Sequence, residues 1–203
     1  MTKDNEFGAD YAQAQIERFS NRLRKIVKSF YVARVLRHVD GPAIDLGCGP
    51  GHILERLPKG SIGVEVNPFL VAHLRKRGLS VVQAEASGSG FDLELLPRCE
   101  FKTLVLSHVL EHFADADKVL RKLLQDCSQL GISRVIVVVP GAVGFRSDPT
   151  HKTFVDFAYL SEMGMLACAG FKLSHYSYFP GNWALLGKFF IYHEMMLVWE
   201  VVA

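Results

Sequence analysis

A doubly wound α/β sheet, layered αβα, is the fold this sequence predicts. Three observations carry it. From residue 43 onward, short β-like runs alternate with helix-length stretches that are apolar on one face. One run, "SRVIVVVP", is apolar on both faces, as the centre of a parallel sheet requires. A glycine-rich turn, "DLGCGPG", closes the first run. Open α/β sheets bind their ligands in that position, beyond the carboxyl ends of the strands.

The elements follow in order. From about Tyr11 to Val39 the pattern is helical, with Ile16, Phe19, Leu23, Ile26, Val27 and Phe30 at three- and four-residue steps. "AIDLG" is the first strand, with a helical stretch around Ile53 to Leu57 after it. "SIGVE" is the second strand, leading into "NPFLVAHLRKRG". There Asn67 caps a helix, Pro68 takes its first position and Gly78 stops it. "SVVQA" and "KTLVLS" are the third and fourth strands. Val119, Leu120, Leu123, Leu124 and Cys127 share one face of the next helix. After "SRVIVVVP" a helix ends at "CAGF". "FKLSHYSYF" and "EMMLVWEVV" read as an antiparallel pair. Residues 1–40 form a helical segment and 41–203 the sheet, in a single domain overall.

Composition narrows the function classes. The chain has 203 residues, 49% hydrophobic and 22% charged, which suits one domain with a substantial core. A net charge of +2 gives no sign of a nucleic-acid partner. Cys48, Cys99, Cys127 and Cys168 show neither metal-ligand spacing nor a C-x-x-C pair, so no metal is expected and a reducing, cytoplasmic setting is. The N-terminus lacks the apolar core of a secretory signal, and no apolar run reaches bilayer length.

Glycines at 47, 49 and 51 follow Asp45. Glycine admits positive φ and lets a ligand approach without a Cβ in the way. The dinucleotide pattern G-x-G-x-x-G fails at His52, which argues against a pyrophosphate cofactor. Glu65 ends the second strand, where a carboxylate can accept both ribose hydroxyls of a nucleoside. Glu85 ends the third, where it can receive an adenine amino group. Each alone reads equally as a solvated strand-end charge; three acids at successive strand ends read as a site.

"AIDLGCGPG", "GVEVNP", "QAEA", "LVLSHVLEHFADADKVLRKLL" and "VVVPG" together resemble class I S-adenosylmethionine-dependent methyltransferases over residues 40 to 175. The nearest likeness is to bacterial small-molecule methyltransferases, including those associated with polysaccharide or lipid biosynthesis. "DPTHKTFVDFAYLSEMGMLACAGF" resembles the same group. The resemblance implies a Rossmann-like seven-stranded sheet with an antiparallel last strand. It implies S-adenosyl-L-methionine as cofactor and S-adenosyl-L-homocysteine as product. By position, Asp45, Gly47, Cys48, Gly49 and Gly51 would cradle the methionine half. Glu65, with Val66 beside it, would hold the ribose. Ala84 and Glu85 would face the adenine, although aspartate is commoner than Glu85 there. Ser107 and His108 would lie near the sulfonium.

Methyl transfer to a hydroxyl or a protonated amine is helped by a base, and histidine suits that task near neutrality. His151 is the leading candidate because "DPTHKTF" follows the fifth strand on the acceptor side. Asp148 would orient it and Phe154 would anchor its loop on the core. His108 is a pocket wall or the fallback base. His112 holds a loop or helix start, His175 is structural or exposed, and His193 is either. The absence of an N-P-P-Y-like string after the fourth strand, and of a Pro-Cys pair, argues against two nucleobase and amide routes. Between Arg18 and Arg37 there are seven basic residues and no acid. They form a solvated face or meet a phosphate. "YFPGNWALLGKFFIY" closes an apolar pocket or forms a homodimer patch. The resulting expectation is methyl transfer to oxygen on a small, sugar-linked or lipid-linked acceptor. An RNA methyltransferase, a non-catalytic cofactor-binding partner protein and an aminopropyl transferase remain as alternatives.

Overall fold

The computed structural model describes residues 8–20, 22–84, 91–93, 96, 100–182 and 193–202, with side chains left aside for 18–28. Among these residues eight strands form one sheet: β1 (Ala43–Leu46), β2 (Ile62–Glu65), β3 (Val81–Gln83), β4 (Thr103–Ser107), β5 (Arg134–Pro140), β6 (Ala167–Cys168), β7 (Phe171–Phe179) and β8 (Glu194–Val201). Their order across the sheet is β3-β2-β1-β4-β5-β8-β7-β6. β1 to β5 pair in parallel, and β8 runs antiparallel between β5 and β7. The order reverses between β1 and β4, so the carboxyl ends of those strands frame the ligand crevice.

Six α-helices among the described residues accompany the sheet: α1 (Ala9–Ser20), α2 (Arg22–Leu36), α3 (Pro68–Lys76), α4 (Ala116–Leu130), α5 (Ala142–Arg146) and α6 (Phe157–Glu162). Successive strand residues point to opposite faces, and the core splits accordingly. Leu104, Leu106, Val135, Val137 and Leu197 pack with Val119, Leu120, Leu123 and Leu124 of α4. Val105, Ile136, Val138 and Val198 pack with Tyr31, Val32 and Val35 of α2. Val71 and Leu74 of α3 cover Val81. The β5 residues Val135 to Val139 are buried on both faces, as their unbroken apolar run required. Local chemistry sets the helix ends. Asn67 Oδ1 accepts from Phe69 N and Leu70 N, Pro68 opens α3, and Gly131 closes α4 at φ 72°.

Three details depart from the sequence reading. The helical stretch after the glycine loop is a single 3-10 turn, Leu54–Arg56. The sheet has an eighth strand, because "CAGF" is a hairpin and not a helix end. Ala169 (φ 53°) and Gly170 (φ 81°) form the two-residue turn that pairs Cys168 with Phe171. Positive φ at both central residues suits the twist of a tight hairpin. Phe154 is 37% exposed, and its neighbour Val155, at 2%, is the residue that anchors the segment.

Candidate active site

The glycine loop leaves β1 with its chain held down at both sides. Gly47 N and Cys48 N share the Val64 carbonyl of β2 at 2.8 and 3.1 Å, and Gly51 N closes a turn onto Cys48 O at 3.0 Å. All three glycines have positive φ, but a Cβ would meet different surroundings at each. At Gly47 it would stand 2.6 Å from Val109 Cγ2, and at Gly51 2.7 Å from Leu74 Cδ2. At Gly49 it would meet nothing within 4 Å. Two glycines therefore permit close packing, and Gly49 alone turns bare backbone to open space.

Asp45 sits on β1 just before this loop, 2% exposed. Its Oδ2 has no hydrogen-bond partner. Burial pushes its pKa up to about 7, against the Leu54 backbone N–H that stabilises the carboxylate. Glu65 is buried too, but its carboxylate is fully engaged. Oε2 accepts from Gly49 N at 2.8 Å, and Oε1 accepts from Val66 N at 2.9 Å and Asn67 N at 2.8 Å. Burial raises its pKa, and these N–H donors oppose the rise. In this structure the expected ribose ligand clasps the loop from below. Val66 thus supports Glu65 through its amide. Ala84 continues the β2–β3 pairing through its N–H to Glu65 O at 3.1 Å. Glu85 lies outside the described residues.

At the end of β4, Ser107 Oγ shares a hydrogen bond with the hydroxyl of Tyr31. Burial first, then the Glu194 charge, raises the Tyr31 pKa, so this phenol stays protonated. His108 follows with φ 58°, a rare conformation outside glycine. Its Nδ1 lies 3.2 Å from Glu111 Oε1 and its Nε2 3.1 Å from Glu194 Oε1. Burial would lower its pKa; the two carboxylates outweigh that and raise it to about 10. His108 is therefore an imidazolium at neutral pH, with no lone pair to accept a proton. The structure corrects its expected role as fallback base.

The segment after β5 carries the remaining candidates. The Asp148 carboxylate does not orient the His151 ring; only the Asp148 carbonyl accepts from His151 N, at 3.3 Å. Its Oδ1 accepts from Thr150 N at 2.9 Å and from Thr150 Oγ1 at 2.6 Å, and Thr150 Oγ1 lies 3.1 Å from His112 Nδ1. The chain Asp148–Thr150–His112 replaces the expected Asp148–His151 pair. Burial would raise the Asp148 pKa, but the Thr150 hydrogen bonds bring it below its ordinary value. His151 Nδ1 lies 2.9 Å from the Phe145 carbonyl, and its ring stacks on Phe145 at 5.5 Å. Its Nε2 is 4.0 Å from Glu111 Oε1, and the side chain is 8% exposed. His112 holds the loop, as expected. His175 stacks on His38, and His193 is buried against Tyr178.

Sequence reading missed three contributors: Tyr31, Glu111 and Glu194. Glu111 stood inside the quoted "LVLSHVLEHFADADKVLRKLL", and a carboxylate between two histidines was the available signal. Tyr31 and Glu194 carried none, because only tertiary contact brings them to the end of β4.

A cofactor with an ammonium and a nucleoside fits these residues on two observations. Asp45 has an unpaired buried oxygen. Gly49 faces room that a side chain would fill. The strand order with its antiparallel β8, and the glycine cradle at the switch point, define the class I S-adenosylmethionine-dependent methyltransferase fold. Within that class the chain belongs to the MetW family: the family model described as "Methionine biosynthesis protein MetW" matches residues 30–146.

Among curated relatives, the chain is 31% identical over 99 residues to a mouse lysine N-methyltransferase named for ATP synthase, covering 47% of this chain and 40% of that protein. It is 28% identical over 120 residues to a trans-aconitate 2-methyltransferase of Methylobacterium nodulans, covering 57% and 46%. The chain thus spans less than half the length of either relative. The magnesium protoporphyrin IX methyltransferase of Synechocystis PCC 6803, solved with bound SAH, superposes with a TM-score of 0.66 at 15% identity, covering 98% of this chain and 97% of that one. At that identity the likeness speaks for the fold.

Proposed function

We propose that this chain is an S-adenosylmethionine-dependent methyltransferase acting at oxygen on a small, sugar-linked or lipid-linked acceptor. Two observations carry the cofactor: the unpaired buried Asp45 Oδ2 on β1 and the open face of Gly49 in the loop that follows it. An ionised Asp45 would hold an ammonium there, and the bare Gly49 backbone lets the ligand come close. Glu65 would hold the ribose by exchanging its Gly49 bond for hydroxyls, while Oε1 keeps Val66 and Asn67 in place. Ala84 and Glu85 would border the adenine. Ser107, with the Tyr31 hydroxyl on it, would border the reacting end. When bound, the cofactor supplies an electrophilic methyl group, and the protein's part is alignment and exclusion of water.

Proton removal from the acceptor falls to His151. The Phe145 carbonyl can only accept, so Nδ1 carries the proton and Nε2 the lone pair. Asp148 supports the same loop through Thr150. Within residues 1–40, α1 and α2 serve as a helical cover, and the strands within 41–203 form the catalytic sheet, with Tyr31 linking them. No helix among the described residues is long and apolar enough to cross a membrane. We place the protein in a reducing, cytoplasmic setting in bacteria, where the buried free thiols of Cys48 and Cys127 persist. The homodimer reading of residues 178–192 falls mostly outside the described residues.

Calorimetry with S-adenosylmethionine, S-adenosylhomocysteine and NAD tests the cofactor. Binding of the first two, with NAD far weaker, supports the reading, and equal or preferred NAD overturns it. Acceptor screening then follows, with polar glycan and lipid precursors beside RNA. Methylation of RNA alone would replace the small-acceptor reading.

A further inference from the structure

Where the turn after β4 meets the segment after α5, three side chains converge. Glu111, His112 and His151 each bring a ligand-capable atom within 4.8 Å of the other two. Glu111 and His112 belong to one 3-10 turn after β4, Leu110–His112. His151 comes from the segment after α5. Lys152 N and Thr153 N both donate to Glu111 O, at 2.7 and 3.2 Å, and so fasten the two segments together.

Two independent features mark the cluster as a ligand site. The Glu111 side chain is fully buried, yet its Oε2 has no hydrogen-bond partner. A buried carboxylate oxygen left so is costly unless something pairs with it. Each histidine also has its outer nitrogen fixed. His151 Nδ1 donates to the Phe145 carbonyl at 2.9 Å, which leaves the lone pair on Nε2. Thr150 Oγ1 gives its own proton to Asp148 Oδ1 at 2.6 Å, so it accepts from His112 Nδ1 at 3.1 Å. A carbonyl on one imidazole and a carboxylate-backed hydroxyl on the other is the outer-shell pattern of metal-ligating histidines.

We propose that Glu111, His112 and His151 form a binding site for a divalent transition-metal ion of the zinc type. Two imidazoles favour zinc-like ions over magnesium, which prefers oxygen. Three protein ligands leave a coordination position open, as reactive zinc sites do. The 4.0 Å between His151 Nε2 and Glu111 Oε1 closes to roughly 3.3 Å around a tetrahedral ion with bonds of about 2.0–2.1 Å. Side-chain rotation supplies that movement. His108 beside the cluster is cationic, but Glu194 binds it from the far side and Asp148 adds negative charge. The open position would take an oxygen of the acceptor. Binding of the ion does not depend on the methyl-transfer reading; with the ion bound His151 cannot accept a proton, so its role as base belongs to the metal-free protein alone.

The test uses the whole chain after chelator treatment and dialysis. Zn²⁺ and Mg²⁺ are titrated by calorimetry, and Co²⁺ by its visible absorption. The site predicts one equivalent of Zn²⁺, a Co²⁺ spectrum of low coordination number, and weak Mg²⁺ binding. Glu111→Gln and His151→Asn should each lower Zn²⁺ affinity by at least roughly 10–100-fold, the scale seen even for outer-shell partners. His175→Ala should leave it unchanged. If Glu111→Gln fails to fold, His151→Asn and the Co²⁺ spectrum decide. Absence of stoichiometric Zn²⁺, preference for Mg²⁺, or full binding by His151→Asn would overturn the proposal. None of these readouts requires S-adenosylmethionine or turnover.

Discussion

Replacing Glu65 with alanine removes the carboxylate that receives Gly49, Val66 and Asn67 N–H groups at 2.8–2.9 Å. Hydrogen bonds to a charged group are worth about 1.5–3 kcal/mol each, and a donor left buried and unpaired costs about 1–3 kcal/mol. Three bonds on one carboxylate are not additive, and water entering the vacated space would satisfy part of the loss. A net destabilisation of about 3–5 kcal/mol follows, a large share of the ~5–15 kcal/mol that holds a domain together. Glu65→Gln separates the two oxygens. Its amide oxygen can keep Val66 and Asn67, but its NH₂ then faces the Gly49 N–H, donor against donor. Its cost should be about 1–2 kcal/mol, that of one lost bond and one unpaired donor. Urea unfolding at pH 8, followed by tryptophan fluorescence and circular dichroism, measures both. The expected order of midpoints is parent, glutamine, alanine. An alanine variant with the parent's midpoint and slope would show that this carboxylate does not hold the loop.

The glycines should part company: Gly47→Ala clashes with Val109 and destabilises by more than the ~1–2 kcal/mol of left-handed backbone strain, whereas Gly49→Ala pays that strain alone while weakening S-adenosylhomocysteine binding, as thermal melts with and without ligand would reveal. Asp45 is ionised in the unfolded chain above about pH 4 but holds its proton in the folded one until about pH 7. The folded state binds more protons across that window, so the residue's contribution to stability falls as pH rises from about 4 to about 7, by up to roughly 4 kcal/mol. Subtracting the Asp45→Asn stability curve from the parent's isolates this slope, and a flat difference would show that Asp45 is not a buried acid. Affinity for S-adenosylhomocysteine should rise with pH over the same window in the parent and stay low in the variant. His108, with its pKa raised to about 10, contributes stability that is complete below about pH 6.5 and fades as pH approaches 10. Its ring should give imidazolium chemical shifts by NMR at pH 8, and a neutral ring at that pH would refute the clamp between Glu111 and Glu194.

The sheet was largely legible in the chain. Buried strands announce themselves by unbroken apolar runs, and Asn67, Pro68 and Gly78 mark the ends of α3 by local chemistry that needs no tertiary context. The hairpin at "CAGF" was not legible, because Ala169 at positive φ is a choice no propensity favours and only pairing with β7 rewards. The glycine loop at the end of β1 could be read because its glycines lie close together in sequence. The orientation of Glu65 could not, since its three donors belong to a loop whose path the sequence leaves open. The same holds for Asp148, where Thr150, two residues on, captured the carboxylate before His151 could. His108 shows the limit most plainly. Its raised pKa rests on Glu111, three residues on, and also on Glu194, which lies 86 positions further along the chain.

That distance bears on the order of assembly. β8 enters between β5 and β7, so β7 has no place on the sheet until a later segment has arrived. Such non-local pairing is slow to form, because loop-closure entropy is spent before the contacts exist. The β7–β8 ribbon can form locally as an antiparallel pair and dock onto β5 as a unit, with Trp199 sealing it through its indole N–H to Met165 O at 2.8 Å. Glu194 opens β8 and supplies the second carboxylate on His108. A chain that has built only its parallel half would carry the glycine cradle with His108 clamped on one side alone. Docking of the ribbon thus completes the sheet and closes the second side of the histidine clamp in a single event.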